Sequence, residues 1–142
     1  MIRKYQAQDL QAVIDIWYRA SLIAHPFLDE AFLQAERQEI MEKHMPSVET
    51  WVYEKEGRIV GFIALLDCEV GAIFVDPQHQ RQGIGRALMD HARKLRGHLE
   101  LDVFKENHIG RAFYDRYGFK VVAEHLHESS GQLQLRLRLE DG

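Results

Sequence analysis

Between Val70 and Phe104 the chain changes its hydrophobic period twice, and this limits the folds open to it more than any other feature. Val70 to Val75 is a continuous apolar run cut off by Asp76-Pro77. From Gly83 to Arg96, Ile84, Ala87, Leu88, His91 and Leu95 lie along one helical stripe, and Gly97 suits the helix end. From Leu99 to Phe104, Leu99, Leu101 and Val103 alternate with Glu100 and Asp102, the pattern of a half-buried strand. A strand, a helix and a second strand at this spacing predict a right-handed crossover between parallel strands. The fold class is therefore α/β, with helices on the faces of a sheet.

The flanking segments make that sheet mixed. Ile2 to Tyr5 is a short strand candidate, and Leu10, Val13, Ile14, Trp17 and Ser21 share one helical face. Pro26 pushes His25 toward an extended conformation, so this helix is expected to end near Ala24. Asp29 is placed to cap a second helix that reaches toward Lys43 and stops before Pro46. Thr50 to Lys55 and Arg58 to Leu66 flank Glu56-Gly57, a tight hairpin turn. A short helix is expected from His108 to Arg116, stopped by Gly118. At the C-terminus Leu133, Leu135, Leu137 and Leu139 alternate with Gln132, Gln134, Arg136 and Arg138, and pair with Val121 to Leu126 as an antiparallel hairpin. The expected order is strand, two helices, three strands, helix, strand, helix, two strands, with residues 1–142 read as a single domain.

Composition removes several classes. With 46% hydrophobic and 28% charged residues the chain is ordinary for a globular protein. No apolar run approaches the ~18 residues of a spanning helix, so no membrane partner is expected. MIRKYQAQDL has no apolar stretch after its charges, so no secretory signal is read and a cytoplasmic location is expected. The net charge of −4 argues against a nucleic-acid partner. The lone Cys68 reads as a small apolar filler, and His125-x-His127 has no third ligand, so no metal is expected. Trp17 reads as core, and Trp51 by default as packing. A monomer and a homodimer both remain open.

The chemistry-bearing stretch is the turn from Val75 to Leu88, where a strand ends and a helix opens on Gly83 and Gly85. The free N–H groups and positive dipole end of a first helical turn make an anion site. Glycines let phosphate approach the backbone, and Arg81 and Arg86 add positive charge, so a pyrophosphate fits this cradle. The turn lacks the G-K-[ST] of a Walker loop, and Leu88 stands where a dinucleotide fingerprint needs its third glycine.

Gln80-x-x-Gly83-x-Gly85 resembles the Q/R-x-x-G-x-G/A motif of the GNAT superfamily of acyl-CoA-dependent N-acetyltransferases. Asn107-His-Ile-Gly-Arg-Ala-Phe-Tyr114-Asp-Arg-Tyr-Gly118-Phe119 resembles that superfamily's N-x-x-A-x-x-F-Y-x-x-x-G-F motif, with Gly110 where alanine is usual. The element order is the GNAT order, and Ala24-His25-Pro26-Phe27 and Trp51-Val-Tyr-Glu resemble small bacterial members, including protein-lysine acetyltransferases.

The resemblance implies an acyltransferase that moves an acetyl group from acetyl-CoA to a primary amine by direct attack in a ternary complex. The pyrophosphate would lie on Arg81, Gln82, Gly83, Ile84, Gly85 and Arg86, beside Gln80. The pantetheine arm would run along Ile73, Phe74 and Val75, with an N–H near Ile73 as oxyanion donor and Asn107 touching its amides. Tyr114 would be the general acid toward the departing thiolate. Glu69 and His25 are rival general bases, with Asp102 behind them. The acceptor is a protein lysine or N-terminal amine; the alternatives are a small amine (polyamine, antibiotic or amino acid) and an acyl-CoA-binding module without turnover.

Overall fold

The computed structural model describes residues 1–140, which form seven strands and four α-helices. In chain order these are β1 (Ile2–Lys4), α1 (Leu10–Ala24), α2 (Glu30–Glu39), β2 (Glu49–Lys55), β3 (Arg58–Leu66), β4 (Glu69–Val75), α3 (Ile84–Arg96), β5 (Leu99–Phe104), α4 (His108–Tyr117), β6 (Lys120–His127) and β7 (Gln132–Leu139). The strands make one mixed sheet ordered β1-β2-β3-β4-β5-β7-β6. Every neighbouring pair is antiparallel except β4 and β5, which the crossover through α3 makes parallel. No helix among the described residues is long and apolar enough to cross a membrane.

The sheet separates two cores. On one face Val60, Ile63 and Leu65 of β3 and Leu101 and Val103 of β5 pack under Ile84, Leu88, Met89 and Ala92 of α3. On the other, Val52 and Phe62 pack against Val13, Ile16 and Trp17 of α1 and Leu33 of α2. The α3 stripe differs from the sequence expectation. The helix buries Met89 and Ala92 beside Ile84 and Leu88, while Leu95 is 43% exposed. A Cβ at Gly61 of β3 would stand 3.0 Å from Ile84 Cγ2 and 3.3 Å from Leu88 Cδ1, so any larger residue would press α3 away from the sheet by a few tenths of an ångström.

Helix α2 also departs from its expected course. Asp29 caps it as expected, accepting the Phe32 N–H at 2.7 Å, but regular α-helix ends at Glu39. The chain then widens into a π-helical turn over Ile40–His44 and tightens into a 3₁₀ turn over Met45–Ser47. Pro46 has no N–H for a continuing α-helix, so the chain leaves that path before reaching it. Cys68 is no core filler. It sits in the β3–β4 turn with Sγ 3.9 Å from His98 Nδ1. Trp17 is buried as expected, and Trp51 packs edge-on to His91 on the α3 face.

Candidate active site

The site begins with a fault in the sheet. Strand β4 pairs β3 in register except at Gly71, an extra residue between the pairs Ala64↔Ala72 and Leu65↔Val70. Such a bulge bends its strand. Strand β4 meets β5 only at Glu69↔Glu100, and beyond that pair the two strands splay. A cleft of about 1690 Å³ fills the opening, lined by Ile73, Phe74 and Val75 on one side and Leu101 to Phe104 on the other. The β5-facing edge of β4 beyond the bulge is therefore free for an added extended chain.

At one end of the cleft lies the glycine turn. Asp76, 3% exposed, accepts both Arg19 guanidinium hydrogens (2.9 and 3.1 Å) and the Gln78 N–H (2.9 Å), which ties the start of the turn to α1. The Arg19 guanidinium holds the Asp76 carboxyl below the usual carboxylate range. Farther on, Arg81 (φ 65°) and Gly83 (φ 82°) are left-handed and the residues between and before them are not. Backbone that alternates in this way forms a concave nest of N–H groups suited to anions. It runs directly into α3, whose N-terminus has no side-chain cap. The two glycines differ in purpose: Gly83 supplies a left-handed φ in open space, whereas a Cβ at Gly85 would rest 3.4 Å from the Phe113 ring. The nest and the uncapped helix end fit a pyrophosphate.

Tyr114 lines the cleft from α4, edge-on to Phe113 (5.5 Å) and Phe119 (5.7 Å). Its side chain is half-buried. Burial pushes the phenol above the ordinary tyrosine value, so it keeps its proton at neutral pH. Tyr117 instead donates to Asp90 Oδ1 at 2.5 Å and is pushed up to about 12, first by burial and then by that carboxylate.

At the other end Glu69, Glu100 and Asp102 surround one guanidinium. Arg136 donates to Glu69 at 2.8 and 2.6 Å and to Glu100 at 3.1 Å, and stands 3.4 Å from Asp102. Both Glu69 oxygens are thereby engaged. Beside this network Phe27, Phe32, Phe104 and His127 form a chain of edge-on rings 5.4–6.1 Å apart, from the α1–α2 loop to the end of β6.

Comparison with known proteins decides what this arrangement belongs to. Residues 46–121 match the family model described as the acetyltransferase (GNAT) domain. The chain is a GNAT acetyltransferase. It is 30% identical over 123 residues to the peptidyl-lysine N-acetyltransferase YiaC of Escherichia coli strain K12, covering 86% of this chain and 84% of that protein. It is 34% identical over 122 residues to the peptidyl-lysine N-acetyltransferase YjaB of Salmonella typhimurium strain LT2, covering 85% and 83%. The solution structure of apo YjaB from Escherichia coli superimposes with a TM-score of 0.88 at 26% identity, covering 97% and 95%. The PaiA N-acetyltransferase of Thermoplasma acidophilum, solved in complex with coenzyme A, has the same fold (TM-score 0.82, 19% identity, covering 99% and 98%).

Within this GNAT fold the cleft is lined by Ile73, Phe74, Val75, Gln80, Arg81, Gly83, Ile84, Gly85, Arg86, Asn107, Tyr114, Glu69 and His25, all singled out by sequence. Gln82 is the exception, because its side chain turns away to accept from Lys55 Nζ at 2.8 Å. Ile84 contributes backbone alone, since its side chain is buried under α3. Sequence reasoning missed Arg136, Phe104 and Gly61. The alternation of the last strand already put Arg136 on the polar face, and the pairing Asp102↔Arg136 then delivers it to the carboxylates.

Proposed function

We propose that this GNAT acetyltransferase moves the acetyl group of acetyl-CoA to the side-chain amine of a lysine in a protein or peptide, with residues 1–142 as one catalytic unit. Bound acetyl-CoA supplies an acyl thioester. The Arg81–Arg86 backbone holds its pyrophosphate, with Arg81 and Arg86 adding charge, and the free edge of Ile73–Val75 pairs with the pantetheine arm. A backbone N–H near Ile73 stabilises the oxyanion formed as the amine attacks. Tyr114 donates its proton to the departing thiolate. Glu69 is the base proposed for the amine, directly or through a water; it must share a carboxylate oxygen now held by Arg136.

The observation that carries the lysine reading is the acceptor end itself. Phe32, Phe104 and His127 line the same cleft as the carboxylates of Glu69 and Asp102, and that cleft runs on to the glycine turn. A lysine offers a long apolar stem to the rings and a cation to the carboxylates. The names of the two bacterial relatives support the same acceptor.

The test is acetyl transfer with purified protein, read by thiol release and by mass spectrometry of the product. Lysine peptides, the same peptides with a free N-terminus and blocked lysines, spermidine and an aminoglycoside serve as acceptors. Acetylated lysine with the highest kcat/KM is expected. Faster turnover of a small amine, or of N-terminal amines alone, overturns the lysine reading, and no turnover of any acceptor overturns the activity proposed.

A further inference from the structure

Helix α4 begins at Asn107, and its cap fixes how the Asn107 amide is turned. Oδ1 accepts the Gly110 N–H at 2.9 Å, so the amide NH₂ points the other way. It points at His25, whose Nε2 lies 3.2 Å from Asn107 Nδ2. A donor there leaves one arrangement for the imidazole: Nε2 carries no hydrogen and accepts, and the ring hydrogen sits on Nδ1. The ring is set edge-on among Phe104 at 5.2 Å, Phe27 at 5.6 Å and Phe74 at 6.4 Å. Phe74 belongs to β4 and Phe104 to β5, so His25 sits across the opening between the splayed strands. Burial in this box pushes its pKa down to about 4, in keeping with a neutral ring.

Gly110 belongs to the same device. A Cβ there would stand 2.6 Å from Asn107 Nδ2 and 3.0 Å from its Cγ, closer than real Cβ atoms approach their neighbours. Where the GNAT motif usually has alanine, this chain has the one residue that lets the Asn107 amide lie toward His25.

We propose that His25 is a positioning residue which clasps Asn107 and so ties the α1–α2 loop, at the acceptor end, to α4, which carries Tyr114. The second hydrogen of Asn107 Nδ2 is then held toward the pantetheine arm. His25 takes no proton from the amine, because the lone pair a base would use is the one Asn107 occupies. The ligand named here rests on the reading under Proposed function; the clasp itself does not.

The experiment measures acetyl-CoA binding by calorimetry for the wild type, His25→Ala, His25→Gln and Gly110→Ala, with circular dichroism to check folding. His25→Ala and Gly110→Ala are expected to weaken binding about fivefold, the worth of one hydrogen bond. His25→Gln restores it, since the glutamine oxygen can accept the same hydrogen, and its acetyl-transfer pH profile follows the wild type. The ¹⁵N spectrum of the imidazole should show the neutral Nδ1–H form at pH 7. A His25→Ala protein that folds and binds like the wild type overturns the clasp. A His25→Gln protein that is as damaged as His25→Ala and has lost a limb of its pH profile overturns it in favour of a base. Should Gly110→Ala not fold, the two His25 variants still decide. A wild type that binds no acetyl-CoA sinks the reading under Proposed function instead, and the tautomer then decides the clasp alone.

Discussion

Tyr114 is set in place by the end of its own helix. Its carbonyl accepts the Gly118 N–H at 3.1 Å and the Phe119 N–H at 3.0 Å, so the residue lies in a closed turn while its ring packs on Phe119. Replacing it with phenylalanine keeps that packing and removes the proton. Tyr114→Phe should bind acetyl-CoA like the wild type and lower kcat by about 10²-fold, within the usual range for a lost general acid. Steady-state kinetics beside calorimetry check this, and unchanged turnover removes Tyr114 from the mechanism. Burial also carries a sign. It raises the phenol above its ordinary value, so no limb from Tyr114 should appear in the wild-type pH profile up to about pH 10. At this scale the sequence was readable where a residue's conformation depends on its own chain neighbourhood, as with Gly83 and the Asp29 cap. It was unreadable where a partner 82 positions away decides the part, as with His25 and Asn107.

The placing of α3 rests on β3 as much as on the turn before it. Gly61 leaves room for Ile84 and Leu88, and its substitution would also press on the Phe74 carbonyl at 3.2 Å. Gly61→Ala should therefore cost about 1–3 kcal/mol of stability, as overpacked cores do. It should also weaken acetyl-CoA binding, because α3 carries the uncapped N-terminus of the cradle. Gly71→Ala is the control in the same sheet: its Cβ would meet only the Ala64 carbonyl, at 3.7 Å. Urea unfolding of both variants checks this pair, and equal losses would show that the α3 contact is not what Gly61 protects. The contrast shows what periodicity conveys. Alternation and helical stripes revealed nearly every element and the crossover. They say nothing of the Gly71 bulge that opens β4 from β5, because β4 is apolar on both faces and has no alternation for an extra residue to invert. The Glu69–Arg136 pair was hidden likewise, since it forms only once β7 inserts between β5 and β6.

Across the whole molecule, the buried ionisable groups give folding a two-stage response to acid. His25 has its pKa lowered from 6.5 to about 4, so the unfolded chain takes up its proton at a higher pH than the folded one. Its contribution is fully present above about pH 6.5 and is lost as pH falls toward 4, amounting to at most ~3 kcal/mol. The second stage belongs to carboxylates. Asp9, clasped by Arg3 at 2.9 and 3.1 Å, and Asp76, clasped by Arg19, both have lowered pKa values. Their contribution is present above the ordinary aspartate pKa of about 3.9 and fades as pH falls through their folded values. The two stages are separable because their groups lie in different places, His25 between the splayed strands and the aspartates where β1 and the glycine turn meet α1 and the segment leading into it. Urea unfolding at pH 7.5, 5.5, 4.5 and 3.5 should show the wild type losing stability in both intervals. His25→Gln should keep only the second loss, because glutamine takes up no proton. A His25→Gln protein that still loses stability as steeply as the wild type between pH 6.5 and 4.5 would place the first stage elsewhere in the chain. It would also mean that the imidazole is less shielded by Phe27, Phe74 and Phe104 than their edge-on packing requires.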